Sequence, residues 1–214
     1  MQLVDRIEKR RFVGREFLLW LWFESETFEG TLETKEHGSF GLWIEGQIVL
    51  TNGKEATRIK GSQPTAAREA KESLLVGKLP EMAGFHLVHH EQESTFTLKA
   101  EYLGISGLRL PTVLGAEEEQ PEQLQKGPRK KARAVEPDEA HEVFYERMHL
   151  TRDFEGLLEA LYRDFLTLRL GAGWDGVTKA MRAWVAGEDV DADDYKAERD
   201  RALGGKKRRE AASA

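Results

Sequence analysis

Three histidines lie close together in the chain and are the residues best suited to bind a metal ion: His86, His89 and His90. A zinc site needs three or four ligands that converge on one point. His89 and His90 are neighbours on a predicted strand, so their side chains point to opposite faces of a sheet. His37, the other histidine in this half, is far away in sequence. We therefore predict no metal site and no cofactor.

Residues with catalytic potential are also poorly represented. The chain of 214 residues has no cysteine, which excludes disulfide bonds, cysteine-ligated zinc and thiol nucleophiles. It contains no glycine-rich phosphate loop, nucleophile elbow or His-Glu-x-x-His motif. The segment 191–194 begins like a calcium loop but lacks the turn glycine and the glutamate at the twelfth position. We therefore predict that the protein is not an enzyme and has no catalytic residue.

The remaining chemistry is positive charge, which is concentrated in three places. Segment 126–133 carries five positive residues in eight, segment 206–209 is entirely basic, and a smaller cluster lies at the start of the first predicted helix. Clusters of this kind contact DNA phosphates without reading the base sequence. The candidate DNA-binding residues are Arg10, Arg11, Arg15, Lys126, Arg129, Lys130, Lys131, Arg133, Lys206, Lys207, Arg208 and Arg209.

The overall charge of the chain argues against DNA binding. The formal net charge is -6 and the isoelectric point is near 5.6, whereas a nucleic-acid-binding domain is usually basic. Charge can be segregated on one surface, so an acidic balance does not exclude DNA. The plain alternative is that the basic clusters are solvated segments that only keep the chain soluble.

The element that must organise the core is the apolar run 17–23, seven residues without glycine or proline. It is too short to span a bilayer, which takes about 20 apolar residues. Its leucine-rich composition favours a helix, and a helix that is apolar all round is buried in protein. We therefore predict a core helix over residues 12–25 and no membrane segment.

Alternating apolar and polar residues predict strands on both sides of a short helix. Strands are expected within 27–60, with a two-residue hairpin turn at Asn52 and Gly53, and within 81–111, with a turn at 91–94. Arg58 and Lys60, together with Lys54 if the strand extends to it, would share one face of the sheet as a short basic stripe, and the alternative is an ordinary solvated sheet face. Between these strands, Pro64 and Gly77 bracket a predicted helix over 65–76.

The C-terminal part is predicted to be helical. A seam of apolar residues at helical spacing predicts a long helix from residue 139, and glycines at 171 and 173 separate it from a second helix over 174–185. Residues 189–201 form a marginal, highly charged helix. The fold class is therefore α+β: an antiparallel sheet with a buried core helix, followed by a C-terminal helical hairpin. The expected organisation is a charged lead-in (1–11), an α+β core (12–114), a disordered charged linker (115–138), the hairpin packed on the core (139–187) and a charged tail (188–214).

Three segments resemble the recombination-associated protein RdgC family. The first is segment 14–26, GREFLLWLWFESE, and the others are the strand pair 94–99 and 105–111 and the helical region 146–169 with Trp174 and Trp184. The resemblance covers roughly residues 12–187 and corresponds to the C-terminal half of the family, because only 11 residues precede it. The shared motifs are packing signatures and carry no DNA-contacting residue over.

The resemblance implies a function that composition alone does not. The family binds DNA without sequence preference, as a dimer that encloses the duplex, and is associated with recombination. We therefore expect a non-enzymatic DNA-binding protein that contacts the phosphate backbone, is cytoplasmic and is nucleoid-associated when bound. The alternative is a protein-interaction or scaffold protein that retains this fold without binding DNA. In either case we expect a homodimer, or a partner that covers the apolar helices.

Overall fold

A computed structural model describes residues 3–111 and 137–204 of the chain, with side chains for 13–111 and 141–204. Five α-helices and six strands make up these residues. The helices are α1 (Leu3–Thr27), α2 (Arg68–Leu75), α3 (Pro137–Leu170), α4 (Trp174–Ala186) and α5 (Ala192–Gly204). The strands are β1 (Thr31–Thr34), β2 (Gly38–Thr51), β3 (Ala56–Gly61), β4 (Leu79–His89), β5 (Gln92–Lys99) and β6 (Ile105–Arg109). The predicted α+β class, with an antiparallel sheet and C-terminal helices, is confirmed.

All six strands belong to one antiparallel sheet whose centre is the long strand β2. β4 pairs with one side of β2, and β5 and β6 follow in order. On the other side, β1 pairs with the first part of β2 and β3 pairs with its last part. A gap is therefore left between β1 and β3 along one edge of β2, and this gap becomes part of the site described below.

The predicted core helix is present and is longer than expected, because α1 begins at Leu3 rather than near residue 12. Its apolar run is covered within the chain: Leu18, Trp22 and Phe23 have no exposed surface. The aromatic ring of Phe165 on α3 lies 5.3 Å from that of Phe17. Since the apolar run 17–23 is buried by the sheet and by α3, it is not available as a partner surface, contrary to one of our expectations.

Two of the predicted turns differ from the structure. Thr51 pairs with Ala56, so the loop after β2 has four residues instead of two, and the side chain of Asn52 accepts hydrogen bonds from the amides of Lys54 and Glu55. The turn between β4 and β5 lies at His90 and Glu91, not at 91–94. Both residues have positive φ, the geometry of a tight hairpin turn that usually takes Asn and Gly. Because neither residue is glycine or asparagine, the sequence predicted a turn here but not at these two positions.

The predicted short helix divides into two parts. A 3-10 turn spans Pro64–Ala66, and α2 begins only at Arg68. Gly77 follows α2 with positive φ, as expected for a residue that ends a helix.

The seam of the long helix is buried only in its second part. Phe154, Leu161 and Phe165 belong to the core, whereas Phe144 and Met148 are 59% and 52% exposed. α4 packs beside this buried part through Val177, Met181 and Trp184. Periodicity correctly predicted which side of α3 is apolar, but it did not show how far along the helix a partner surface extends.

The charged region after α4 packs against the core, although its composition predicted a marginal helix in solvent. α5 contributes the buried residues Tyr195 and Arg199 to the interior, so it is not merely a marginal solvated helix. The predicted linker 115–138 lies outside the described residues except for 137 and 138, which begin α3. The basic tail 206–209 also lies outside them.

Candidate nucleic-acid interface

The sheet has two different faces because side chains alternate along each strand. One face packs against α1 and α3. Its buried residues include Phe40, Leu42, Ile44, Ile48 and Leu50 on β2, Phe85 and Leu87 on β4, and Phe96 and Leu98 on β5. The opposite face, which we call the open face, is lined by half-buried and exposed residues. Their order across the sheet follows from the strand register.

Cations lie in two rows of residues that cross the open face. One row has a cation at each end, and the other has a cation at one end. In the first row, Arg58 on β3 is paired with Val49, and Met82 on the other side of Val49 is paired with Lys99 on β5. Lys60 lies two residues along β3 from Arg58, opposite Gln47.

In another row, Trp43 is paired with His86, His86 with Thr95, and Thr95 with Arg109 on β6. The open face therefore presents four cationic residues, Arg58, Lys60, Lys99 and Arg109, around a polar and weakly apolar centre.

Within residues 13–111 and 141–204, none of these four cations forms an ion pair with a carboxylate. Many of the other cations are neutralised by an acid: Lys71 by Glu26, for example. Several exposed cations of the helices, such as Arg152 and Lys179, also lack an acidic partner among the described residues, and what sets these four apart is that they share one face of the sheet. A cation without an acidic partner keeps its charge available for an external anion, such as a phosphate.

The acidic residues of the open face lie beside the histidine. Oε2 of Glu45 is 2.9 Å from Nδ1 of His86, and a carboxylate oxygen of Glu93 lies 3.5 Å from Nε2 of the same ring. This group is at the middle of the sheet, between the cations of β3 and those of β5 and β6. The cations therefore flank these two carboxylates.

The predicted DNA-binding residues lie mostly outside the described side chains. Arg10 and Arg11 belong to α1, but their side chains are not described. Arg15 is held by Glu81 through two contacts, and its side chain is only 19% exposed. It joins α1 to β4 and is not free for phosphate while this pair stands. The candidates at 126–133 and 206–209 lie outside the described residues and stay predictions.

The sequence pattern indicated one part of this surface and not the rest. Arg58 and Lys60 were recognised as a stripe, and both are exposed on the open face. Lys99, Arg109 and Trp43 were not assigned to it. Alternation placed Lys99 on the same face as Thr95 and Thr97, but only the strand pairings from β3 through β2 and β4 to β5 show that this face is shared with Arg58.

The histidines form a small cavity rather than a metal site. His37, His89 and His90 line a cavity of about 240 Å³ together with Asp153 of α3. Nε2 of His89 lies 3.1 Å from the backbone oxygen of His37. This hydrogen bond engages one of the two ring nitrogens of His89 and leaves it unavailable to a metal ion. Among the residues with described side chains, no group of three or more His, Asp or Glu is arranged to hold a metal ion.

A second polar cluster is buried and serves the fold. Glu24 of α1 accepts hydrogen bonds from the hydroxyl of Tyr195 and from Nη1 of Arg199, both on α5. Burial raises the pKa of the Glu24 carboxyl, and the charge of Arg199 opposes that rise. The cluster encloses almost no free space, about 10 Å³, so it does not admit a ligand.

The chain was compared with family models, curated proteins and solved structures. No family model, no curated protein and no solved structure matches the chain. Within 3–111 and 137–204, none of the helices has the length and apolar character needed to cross a lipid bilayer.

Proposed function

We propose that this protein is a non-enzymatic DNA-binding protein that contacts the phosphate backbone without sequence preference. The observation that carries the proposal is the open face, on which Arg58, Lys60, Lys99 and Arg109 have no acidic partner among the described residues. Phosphates are the anions that a spread of separate cations fits best, because a nucleic acid offers negative charge at regular intervals.

Charge segregation reconciles this proposal with an acidic chain. The net charge of -6 belongs to the whole protein, and many of its acids lie on the helices, such as the exposed Glu155 and Glu159 of α3. The open face has a local excess of positive charge at its two ends. A short-range contact with a phosphate responds to this local charge, because salt screens the distant acids.

The resemblance to the RdgC family supports the same proposal from the sequence side. The candidates at 126–133 and 206–209 would add phosphate contacts to those of the open face. Association with recombination, a nucleoid location within the cytoplasm and a homodimeric state are parts of this proposal. Each of them follows from the resemblance rather than from a contact in the fold.

The experiment that tests the proposal measures the affinity of labelled single- and double-stranded DNA by fluorescence anisotropy at about 50 mM salt, where phosphate contacts are strong. The open-face variant replaces Arg58, Lys60, Lys99 and Arg109 with serine. The helix variant replaces four exposed cations of the helical side with serine and removes the same charge: Arg152, Lys179, Arg182 and Arg201. The segment variant replaces the basic residues of 126–133 and 206–209.

The proposal predicts that DNA binds and that the open-face variant binds more weakly than the helix variant. Loss of binding in the segment variant alone would assign the DNA role to those segments and remove it from the sheet. An absence of binding to either form of DNA at low salt would refute the proposal.

A second candidate function, a protein-interaction role, is favoured by the exposed part of α3. Phe144, Tyr145 and Met148 are 59%, 58% and 52% exposed and lie next to one another. Large apolar groups gathered on one helix face usually mark an interface. The partner that fits is a second copy of this chain, because an antiparallel pairing of two such helices brings Glu142 of one towards Arg152 of the other.

Sedimentation velocity over a range of protein concentrations tests this second function. The chain should self-associate, and serine at positions 144, 145 and 148 should give a folded monomer. A wild-type monomer at all concentrations would refute it.

A further inference from the structure

Trp43 is the one large aromatic side chain that the open face presents to solvent among the described residues, and it is 41% exposed. It lies on β2 at the gap between β1 and β3, where no neighbouring strand pairs with its outer edge. The edge of the His86 ring flanks it, with the two ring centres 5.7 Å apart.

The indole rests on two glycines. A Cβ atom at Gly30 would lie 2.0 Å from Nε1 of the indole, and one at Gly41 would lie 2.4 Å from its Cη2 atom. Any side chain at either position would displace the ring. Gly30 is held beside β2 because its carbonyl oxygen accepts a hydrogen bond from the amide of Leu42. The backbone of these two glycines thus supports the indole, and 41% of the side chain stays exposed to solvent.

A cavity of about 620 Å³ opens beside this ring. It is lined by Ser62, Gln63 and Thr65, which follow β3 and offer hydroxyl and amide groups for hydrogen bonds. Two carboxylates of the cavity already have partners, Glu26 with Lys71 and Glu45 with His86. Glu29 and Arg68 also line the cavity with opposite charges, so the lining has no excess of positive charge to attract a phosphate, and the space can take an uncharged ring.

The nearest free cations lie on the same edge of the sheet. Lys60 and Arg58 belong to β3, and Ser62 follows Lys60 by two residues. A nucleic-acid strand that runs along β3 would place its phosphates against these cations and one base at the cavity. An exposed aromatic surface next to a row of cations is the arrangement with which sheet-based proteins bind single strands, because every base has a flat face to stack.

We propose that Trp43 is a stacking platform for an unpaired base, and that the open face therefore binds single-stranded DNA by a contact that duplex DNA does not make. This inference rests on the proposed DNA-binding function and deepens it. In a duplex the faces of the bases are occupied by their neighbours, so only phosphate contacts are available to the protein. The stack tolerates any sequence, in agreement with binding that has no sequence preference.

The test uses the full chain and three fluorescein-labelled ligands of about 15 nucleotides, within the site sizes of single-strand binders. They are an oligothymidine, a strand of abasic sites that keeps the phosphates but lacks the bases, and a duplex. Trp43→Leu removes the platform and Trp43→Phe keeps a ring. Tyr102→Leu is the matched control, because it removes an exposed aromatic residue that lies beside Val13 and Tyr162 on the helical side of the sheet and does not belong to the open face.

We expect Trp43→Leu to weaken oligothymidine binding by about 5- to 150-fold, the usual effect of losing one stacked base. Trp43→Phe should retain most of the affinity, and Tyr102→Leu should retain all of it. The duplex and the abasic strand should bind Trp43→Leu as well as they bind the wild type.

Two results would overturn the inference while leaving the proposed function intact: wild-type affinity of Trp43→Leu for oligothymidine, or equal affinity of the wild-type protein for oligothymidine and the abasic strand. The second result needs no variant and therefore does not depend on how Trp43→Leu folds. If the wild-type protein bound none of the three ligands at low salt, the proposed function itself would fail, and the stacking platform with it.

Discussion

Arg199 of α5 donates a hydrogen bond to the carboxylate of Glu24 in α1, and both side chains are buried. The pair joins two helices that are 175 residues apart in sequence. Tyr195 donates to the other carboxylate oxygen of Glu24, so this acid is satisfied at both oxygens. The C-terminal helix is thus fastened to the core helix by a buried ionic contact and not by apolar packing alone.

Removing Arg199 should therefore be costly. Arg199→Met leaves Glu24 as a buried charge without its cation, which typically costs about 3–5 kcal/mol. The control is Lys196→Met on the same helix, whose exposed ion pair with Glu33 has a nitrogen–oxygen distance of 3.6 Å. That variant should lose less than about 1 kcal/mol. Urea denaturation measures both, and equal free energies of unfolding for the two variants would contradict the buried contact.

Gly14 is required by the close approach of α1 to the end of β5. A Cβ atom at this position would lie 2.1 Å from the backbone oxygen of Ala100. Alanine normally stabilises a helix by about 1 kcal/mol relative to glycine. Here Gly14→Ala should instead destabilise the protein by about 1–3 kcal/mol, because the backbone must move to relieve the contact.

Gly156 in α3, unlike Gly14, has room for a Cβ atom. The nearest atom to its Cβ position is Cε1 of His37 at 3.5 Å, an ordinary contact distance. Gly156→Ala should therefore stabilise the protein by up to about 1 kcal/mol. Thermal unfolding of the two variants compares them directly, and a stabilised Gly14→Ala variant would show that the two segments do not approach as described.

Lys71 makes the free energy of unfolding depend on pH in the alkaline range. Its ammonium lies 3.1 Å from the centre of the Trp184 ring and 2.8 Å from Oε2 of Glu26. Burial lowers the pKa of Lys71 below its usual value, although Glu26 opposes that shift. Between the lowered folded pKa and the ordinary value of about 10.4, the unfolded chain binds more protons than the folded chain. The contribution of Lys71 to the free energy of unfolding therefore rises with pH in this range.

Comparison with Lys71→Met isolates this effect from other titrating groups. The free energy of unfolding of the wild type, minus that of the variant, should increase as the pH is raised from about 8 to about 10. Urea denaturation at several pH values measures the difference, and Lys179→Met controls for the loss of one exposed positive charge. A difference that is constant with pH, or that shrinks as the pH rises, would contradict the direction of the shift.

Local patterns predicted the elements of this fold better than their partners. The run 17–23 revealed the core helix because seven apolar residues in sequence leave no polar side for solvent. The spacing of Phe154, Leu161 and Phe165 revealed the apolar side of α3. The same spacing includes Phe144 and Met148, which are exposed, because periodicity reports a preference of the helix and not the extent of the surface opposite it.

The candidate site was less predictable because it depends on strand pairing. Arg58 and Lys60 lie two apart on one strand, and alternation was sufficient to place them together. Their relation to Lys99 and Trp43 follows from the pairing of β3 with β2 and of β2 with β4, across a sheet whose register changes after Ile44. Likewise, nothing in the charged sequence around Arg199 indicated that it pairs with an acid in the first helix.

The salt dependence of duplex DNA binding tests the central claim most directly. Each phosphate contact contributes about 0.9 to the slope of the logarithm of affinity against the logarithm of salt concentration. The open-face variant lacks four cations, so its slope should be shallower by up to about 3.6, and its affinity at low salt should be lower. The helix variant, with the same net charge, should keep the wild-type slope. An open-face variant with the wild-type slope and affinity would contradict the assignment of DNA binding to the open face of the sheet.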